Sequence, residues 1–145
     1  AAHCVSGWNV YDNNSNSSDV NNHGTWTAGT AAAVGDNGVG IASPCYNCKI
    51  MPVRIADPSG SSTYSAISSA LTWAADHGAK VANISFGPLG GGVVGSAEKY
   101  FMDHGGVVII SDAVLLLPSS YKWFLDFLSQ EGVPHTSKEV WISKI

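Results

Sequence analysis

Charge and cysteine are both scarce in this sequence. Only 12% of the 145 residues are charged, and seven basic against eleven acidic side chains give a formal net charge of -4. No cluster of Lys and Arg could follow a phosphate backbone, so we expect no nucleic-acid partner. The three cysteines, Cys4, Cys45 and Cys48, are an odd number and cannot all pair within one chain.

Long apolar runs are also missing. The longest, residues 107–110 and 113–117, are far shorter than the roughly 20 residues that cross a bilayer as a helix, so we expect no membrane partner. The first residues show neither the basic start nor the apolar stretch of a signal peptide, and there is no initiator Met. We therefore expect the chain to begin inside a longer protein, with room for one domain or part of one.

Small residues, by contrast, are plentiful. The sequence also shows a regular pattern, in which short apolar strands alternate with helices that end at a glycine. The predicted strands are residues 49–55, 80–85 and 106–111, and the predicted helices are residues 23–34, 63–77 and 93–104. This alternation predicts an α/β fold whose parallel sheet is covered by helices on both faces. Because the first helix consists mainly of small residues, we expect it to lie buried against the sheet.

The most specific segment is residues 23–30, which read HGTWTAGT and follow a polar loop. It resembles the histidine motif of the subtilisin-like serine proteases, the subtilases. Four further segments resemble that family in the family's order: residues 7–12, 38–42, 51–55 and 81–87. The resemblance covers roughly residues 7–111, and it implies a subtilisin-like three-layer fold with a parallel sheet, here incomplete, in a secreted or extracellular protein.

By this resemblance His23 is the catalytic histidine of a Ser-His-Asp triad that hydrolyses peptide bonds. The polypeptide substrate would lie as an added strand between two extended edges. These edges are Gly60, Ser61 and Ser62 on one side and Ser85, Phe86 and Gly87 on the other. Judged from the residues alone, the same segments are also compatible with ordinary loops between a strand and a helix.

Several parts of the family pattern are missing. The family's aspartate lies in a strand well before the histidine, whereas Asp12 and Asp19 lie in the loop that leads to His23. The third strand runs into Asp112 without the family's oxyanion asparagine, and Ser137 lacks the glycine before it and the small-residue helix behind it. We therefore expect a fragment of a serine endopeptidase that is inactive alone; the alternative is a non-catalytic, peptide-binding remnant.

The character of the sequence changes after Asp112. Residues 113–145 are larger and more aromatic, with a helical pattern at 121–128. We predict a partial subtilase catalytic domain at residues 1–112 and a tail at 113–145 that does not match the family. Because the missing part would leave the sheet incompletely covered, we expect an exposed apolar patch and marginal stability.

The loop before His23 offers a candidate metal site. Asp12, Asn14 and Asn16 alternate along the chain and carry the oxygen ligands that calcium prefers. Some subtilases bind calcium just before their histidine, which makes the position suggestive. A solvated turn of Asn and Ser residues is the open alternative.

Two rival signals point to other classes of protein. Gly90, Gly92 and Gly95 satisfy G-x-G-x-x-G, and Asp112 lies near where a ribose-binding acid would fall, which is the pattern of a dinucleotide-binding, Rossmann-like module. The first glycine is, however, too far from the strand for a phosphate turn. Cys45 and Cys48 could form a redox pair, or half of a zinc site with His3 and Cys4. Since Cys48 precedes a strand and not a helix, a surface disulfide or free thiols is the favoured interpretation.

Overall fold

The structure is a computed structural model that describes residues 4–86, 92–110 and 138–143. Its elements in chain order are β1 (Trp8–Asn9), α1 (His23–Ala32), β2 (Lys49–Arg54), α2 (Tyr64–Asp76), β3 (Val81–Ile84), α3 (Gly92–Asp103), β4 (Val107–Ile110) and β5 (Lys138–Ser143). The strands form one sheet in the order β1-β2-β5-β3-β4, and every pair is parallel. The predicted α/β class is confirmed, and the three strands and three helices predicted between residues 23 and 111 agree with the observed ones to within one or two residues.

Helix α2 illustrates how local sequence sets an element. Its start is capped by the Thr63 hydroxyl oxygen, which accepts a hydrogen bond of 3.1 Å from the Ala66 N–H. Apolar residues recur three and four positions apart, and Ile67, Leu71 and Ala74 are fully buried. The helix ends at Gly78, whose φ of 80° lies in the left-handed region that glycine adopts without strain.

Strand β2 shows that the sheet is covered on both faces. Successive side chains of a strand point to opposite faces. Ile50 lies in a small cluster with Ala31 and Ala32 of α1, whereas Met51 and Val53 lie in the main core with residues of α2 and α3. Helix α1 therefore covers one face and the α2–α3 pair the other, which confirms the predicted three layers.

Helix α1 is less buried than the sequence suggested. Only Gly24, Ala31 and Ala32 are buried, while Trp26 is 67% exposed. A Cβ added at Gly29 would meet nothing within 4 Å. The prediction of a buried helix is therefore wrong for most of its length, because small side chains allow close approach to a sheet but do not supply a neighbour on the outer side.

The α2–α3 layer is closed by Phe101, which is 0% exposed. Its ring fills the space next to Gly106, where an added Cβ would overlap the ring. At the surface, the Tyr100 hydroxyl donates a hydrogen bond of 2.8 Å to Asp76, and this bond raises the pKa of Tyr100. The two helices are thus joined by apolar packing in the interior and by a hydrogen bond at the surface.

Strand β5 was not predicted, and most of the predictions made for the tail concern residues outside the described ones. The helical pattern at 121–128, Asp112 and Ser137 all lie there. The domain boundary after residue 112 stays a prediction. Among the described residues, no helix is long and apolar enough to cross a membrane.

Candidate active site

His23 is the first residue of α1 and is half-buried. The chain enters the helix through Asn22, which has a φ of 73° and accepts the Trp26 N–H at 3.1 Å through its carbonyl oxygen. Asparagine is among the few non-glycine residues that adopt this left-handed conformation readily. The sharp entry sets His23 at the junction between the polar loop and the helix.

Asp19 holds that junction together. Its carboxylate accepts hydrogen bonds from the Asn21, Asn22 and Thr25 N–H groups, each at 2.8 Å, and from the Thr25 hydroxyl at 2.6 Å. Partial burial opposes ionisation, but the Thr25 hydroxyl and the three N–H groups outweigh it, so the pKa of Asp19 lies below its ordinary value. The side-chain cap of α1 is therefore Asp19 and not Asn22, whose side chain makes no cap hydrogen bond.

The far end of α1 is also fixed. The Ser43 hydroxyl donates to the Gly29 carbonyl oxygen at 2.5 Å and accepts the Ala33 N–H at 2.8 Å. Cys45 adds a backbone bond of 3.2 Å to the Ala31 carbonyl oxygen. Since both ends are tied to neighbouring loops, the helix is a firm support for His23.

Cys45 and Cys48 form a disulfide in this neighbouring loop. The pair is not wholly at the surface, because Cys48 is buried against Ile50 and the end of α1. Cys4 is an exposed free thiol. Among the described residues no group of three or more His, Cys, Asp or Glu side chains converges on a metal position.

Asp12 anchors the loop before His23 to the sheet. Its carboxylate lies 3.2 Å from the guanidinium of Arg54, which is buried at the end of β2 and also donates to the Ala56 carbonyl oxygen at 3.0 Å. The same carboxylate accepts a hydrogen bond of 3.0 Å from the buried Asn9 side chain. Asp12 thus stabilises a buried cation and the loop around it.

The other two candidate calcium ligands are in the same loop. The side-chain oxygen of Asn14 accepts the Asn16 N–H at 2.8 Å, and that of Asn16 accepts the Ser18 N–H at 3.2 Å. These contacts are Asx turns, in which an asparagine side chain bonds the backbone two residues on. The oxygens predicted to bind calcium are therefore engaged with the chain itself.

The first predicted substrate edge is shaped by Asp57. Its carboxylate accepts the Ser59 hydroxyl at 2.6 Å and the Ser61 N–H at 3.0 Å, and these bonds keep its pKa below the ordinary value. Gly60 has a φ of 84°, which favours glycine. The Ser62 hydroxyl donates to the Ile55 carbonyl oxygen at 2.5 Å, so its oxygen points back toward β2.

This edge lies next to the histidine loop. The Asn21 side chain donates to the Pro58 carbonyl oxygen at 3.2 Å, and its amide nitrogen would lie 3.3 Å from a Cβ added at Gly60. A shallow cavity of about 170 Å³ adjoins the same edge; its lining includes Tyr11, Ser61 and Ser62. The fold therefore brings the loop before His23 into contact with the loop that carries the first predicted edge, through two residues that are 37 positions apart in sequence.

The second predicted edge is described only in part. The Ser85 hydroxyl accepts a hydrogen bond of 2.8 Å from the Asn83 side chain, and Phe86 packs partly buried against the main core. Gly87 lies outside the described residues. Both described residues follow directly after β3, at the carboxyl end of the sheet, where open α/β sheets bind their ligands.

A parallel α/β sheet with a histidine at the start of a helix, and a preceding loop that contacts a glycine-serine loop after a strand, agrees with a subtilisin-like hydrolase. Comparison with protein families agrees, since residues 1–123 match the Subtilase family. The chain belongs to that family. This membership decides against the dinucleotide-binding alternative.

Individual relatives carry related names. The chain is 42% identical over 110 residues to thermitase of Thermoactinomyces vulgaris, covering 75% of this chain and 39% of that protein. It is 37% identical over 124 residues to a thermophilic serine proteinase of Bacillus sp. (strain AK1), covering 81% of this chain and 31% of the relative. A third relative is subtilisin DY of Bacillus licheniformis, which is 37% identical over 112 residues. This match covers 75% of this chain and 39% of that protein. The chain thus spans between 31% and 39% of the length of these relatives.

Proposed function

We propose that this chain is part of a serine endopeptidase in which His23 is the general base. The observation that carries the proposal is the fixed position of His23, at the first residue of a helix whose two ends are both held by hydrogen bonds. The loop before it contacts the loop of the first predicted edge through Asn21 and Pro58. Membership of the Subtilase family supports the same role.

In that role His23 would accept the proton of a serine hydroxyl as the oxygen attacks a peptide carbonyl, and would then donate it to the leaving amine. The substrate would be a polypeptide held in extended form between the two edges, through backbone hydrogen bonds. A secreted or extracellular location fits such a protein and is part of the proposal.

We further propose that the chain alone does not hydrolyse peptides. The carboxylate of Asp12 is engaged with Arg54, and that of Asp19 caps α1. The sequence holds no Gly-Thr-Ser nucleophile segment and no oxyanion asparagine after the third strand. A general base alone supplies neither the nucleophile nor the stabilisation of the oxyanion on which hydrolysis depends.

Labelling with a fluorophosphonate probe tests this proposal. We expect the intact mass of the purified chain to remain unchanged after incubation, because such probes react with a serine activated by a histidine. The His23→Ala variant is the matched control and should behave identically. A stoichiometric adduct on the unmodified chain that is lost in His23→Ala would show that an activated serine is present and that the chain is a complete catalyst.

Calcium binding at Asp12, Asn14 and Asn16 is a separate proposal, in which the ion competes with the hydrogen bonds of this loop. At a calcium concentration about a hundred times Kd, binding would raise the free energy of unfolding by about 2.7 kcal/mol. We expect thermal melting in calcium, compared with EDTA, to show this rise for the unmodified chain and for Asn47→Ala, an exposed asparagine elsewhere. The stabilisation by calcium should be smaller in the Asn16→Ala variant. Equal melting with and without calcium would contradict the site.

A further inference from the structure

Asp57 closes the turn that carries the first predicted substrate edge. Its Oδ1 atom accepts both the Ser59 hydroxyl at 2.6 Å and the Ser61 N–H at 3.0 Å. The Asp57 N–H donates to the Ser61 carbonyl oxygen at 3.0 Å, and the Asp57 carbonyl oxygen accepts the Gly60 N–H at 3.0 Å. Both backbone groups of Ser61 are therefore already engaged inside the turn.

These bonds also fix where the neighbouring backbone groups point. The peptide bonds on both sides of Ser61 are trans, and the C=O and N–H of a trans peptide unit point in opposite directions. Because the Ser61 N–H points toward the Asp57 carboxylate, the Gly60 carbonyl oxygen points away from it. Because the Ser61 carbonyl oxygen points toward the Asp57 N–H, the Ser62 N–H points away as well.

The outer side of the edge thus presents one acceptor, the Gly60 carbonyl oxygen, and one donor, the Ser62 N–H. Among the described residues, no backbone hydrogen bond engages either of these groups. The Ser62 side chain does not compete for them, since its hydroxyl is bonded to the Ile55 carbonyl oxygen. An acceptor and a donor on one side of a segment are what an added extended strand requires.

The turn is held next to the histidine loop as well. The Asn21 N–H donates to the Asp19 carboxylate at 2.8 Å, and the Asn21 side chain donates to the Pro58 carbonyl oxygen at 3.2 Å. Asn21 lies two residues before His23. The turn that Asp57 closes is therefore connected by hydrogen bonds to the junction that carries His23.

The contacts of Asp57 are all local. They reach Ser59, Gly60 and Ser61, within four positions along the chain. The ionised form is favoured, because the Ser59 hydroxyl and the Ser61 N–H lower the pKa of Asp57 more than burial raises it. Among the described residues, no Lys or Arg forms a salt bridge with Asp57. A change at Asp57 should therefore alter the turn and leave the buried core in place.

We propose that Asp57 is the positioning residue of the first substrate edge, because it directs the Gly60 carbonyl oxygen and the Ser62 N–H outward before a polypeptide binds. Asp57 itself does not touch the peptide. Its effect is preorganisation, since a turn that is already ordered loses less conformational entropy when a ligand binds. The inference rests on the proposed function, in which this edge holds the substrate.

Peptide binding to the full chain, followed by NMR with N-acetyl-tetraalanine amide as the probe, tests this role. We expect the peptide to shift the Ser62 amide resonance of the unmodified chain. Asp57→Ala should weaken binding at least about tenfold, because the turn must then be ordered during binding. Asp57→Asn should recover most of the affinity, since its side-chain oxygen can accept the same two bonds. Asp103→Ala, a surface aspartate on α3, is the control and should bind as the unmodified chain does.

Amide exchange without peptide separates this inference from the proposed function. Relative to their unfolded rates, the Ser61 amide should exchange at least about tenfold more slowly than the Ser62 amide, and Asp57→Ala should remove the difference. Equal protection of the two amides in the unmodified chain, or equal peptide affinity in Asp57→Ala, would overturn the role of Asp57 alone. Protection of Ser61 without any peptide binding would instead overturn the substrate edge, and with it the use assigned to the turn. If Asp57→Ala does not fold, the two amides of the unmodified chain still decide.

Discussion

Phe101→Ala should lower the free energy of unfolding by about 3–5 kcal/mol, the range found when a buried aromatic ring is cut back to a methyl group. The side chain is fully buried between α3 and the start of β4, and its ring fills the space that Gly106 leaves open. Removing it leaves a cavity that the rigid strands around it can fill only partly. Since small domains have a total stability of about 5–15 kcal/mol, a chain of marginal stability would be largely unfolded by this one change.

The neighbouring Met102→Ala variant is the matched control for this experiment. Met102 lies on the same helix but is 52% exposed, so its loss should change stability little. Urea denaturation followed by circular dichroism compares the two. If both variants lost the same stability, the α2–α3 layer would not be the well-packed core described above. A sharp cooperative transition of the unmodified chain with high stability would instead contradict the expectation of marginal stability.

Asp19→Ala should lower the free energy of unfolding by about 1–2 kcal/mol at neutral pH, the cost typical of losing a helix cap. The carboxylate accepts four hydrogen bonds at the start of α1 from three residues, Asn21, Asn22 and Thr25. Without it, the turn that carries His23 loses its main polar support. We therefore expect the loss to be accompanied by a shift in the His23 ring resonances in an NMR spectrum.

The pH dependence of the free energy of unfolding separates the effect of the Asp19 charge from the loss of its contacts. The pKa of Asp19 is lower in the folded chain than its unfolded value of about 3.9. The charged form therefore stabilises the fold at pH values above about 4, and this contribution disappears as the pH falls through the lower folded pKa. The free energy of unfolding should be measured between pH 7 and pH 3 for the unmodified chain and for Asp19→Asn. We expect the difference between the two to become smaller at the acid end. For the exposed Asp103→Asn control, whose partner is the surface residue Lys99, the gap should be small throughout.

Much of the fold follows from patterns that are local in sequence. The apolar run of β2, the three-and-four spacing of α2 and the glycine stop at Gly78 each report a structure formed by neighbouring residues. Strand β5 could not be placed in the same way, because pairing between residue 49 and residue 138 leaves no local signal. The short apolar run of Val140, Trp141 and Ile142 is compatible with a strand, but it indicates no particular position in the sheet.

In the candidate site, too, the features that are local in sequence were predicted and those that depend on the folded chain were not. His23 was identified by a contiguous motif, and its position at the start of a helix agrees with that prediction. The role of Asp19 was missed, although an acidic residue just before a helix is a known capping signal. It was missed because Asp19 lies four residues before the helix, and only the left-handed turn at Asn22 brings its carboxylate to the first N–H groups. The burial of α1 was overestimated because residue size shows how closely a helix can approach, and not what covers it.

The position of β5 has a consequence for how the chain is made. During synthesis the segments of β2, α2, β3, α3 and β4 all leave the ribosome before residues 138–143, which complete the middle of the sheet. Until then the facing edges of β2 and β3 present unpaired backbone groups, and such edges invite pairing with other chains. Before residues 138–143 pair, two edges that can take up an extended segment therefore face each other in the middle of the described sheet, and a chaperone that shields extended edges would act at that stage.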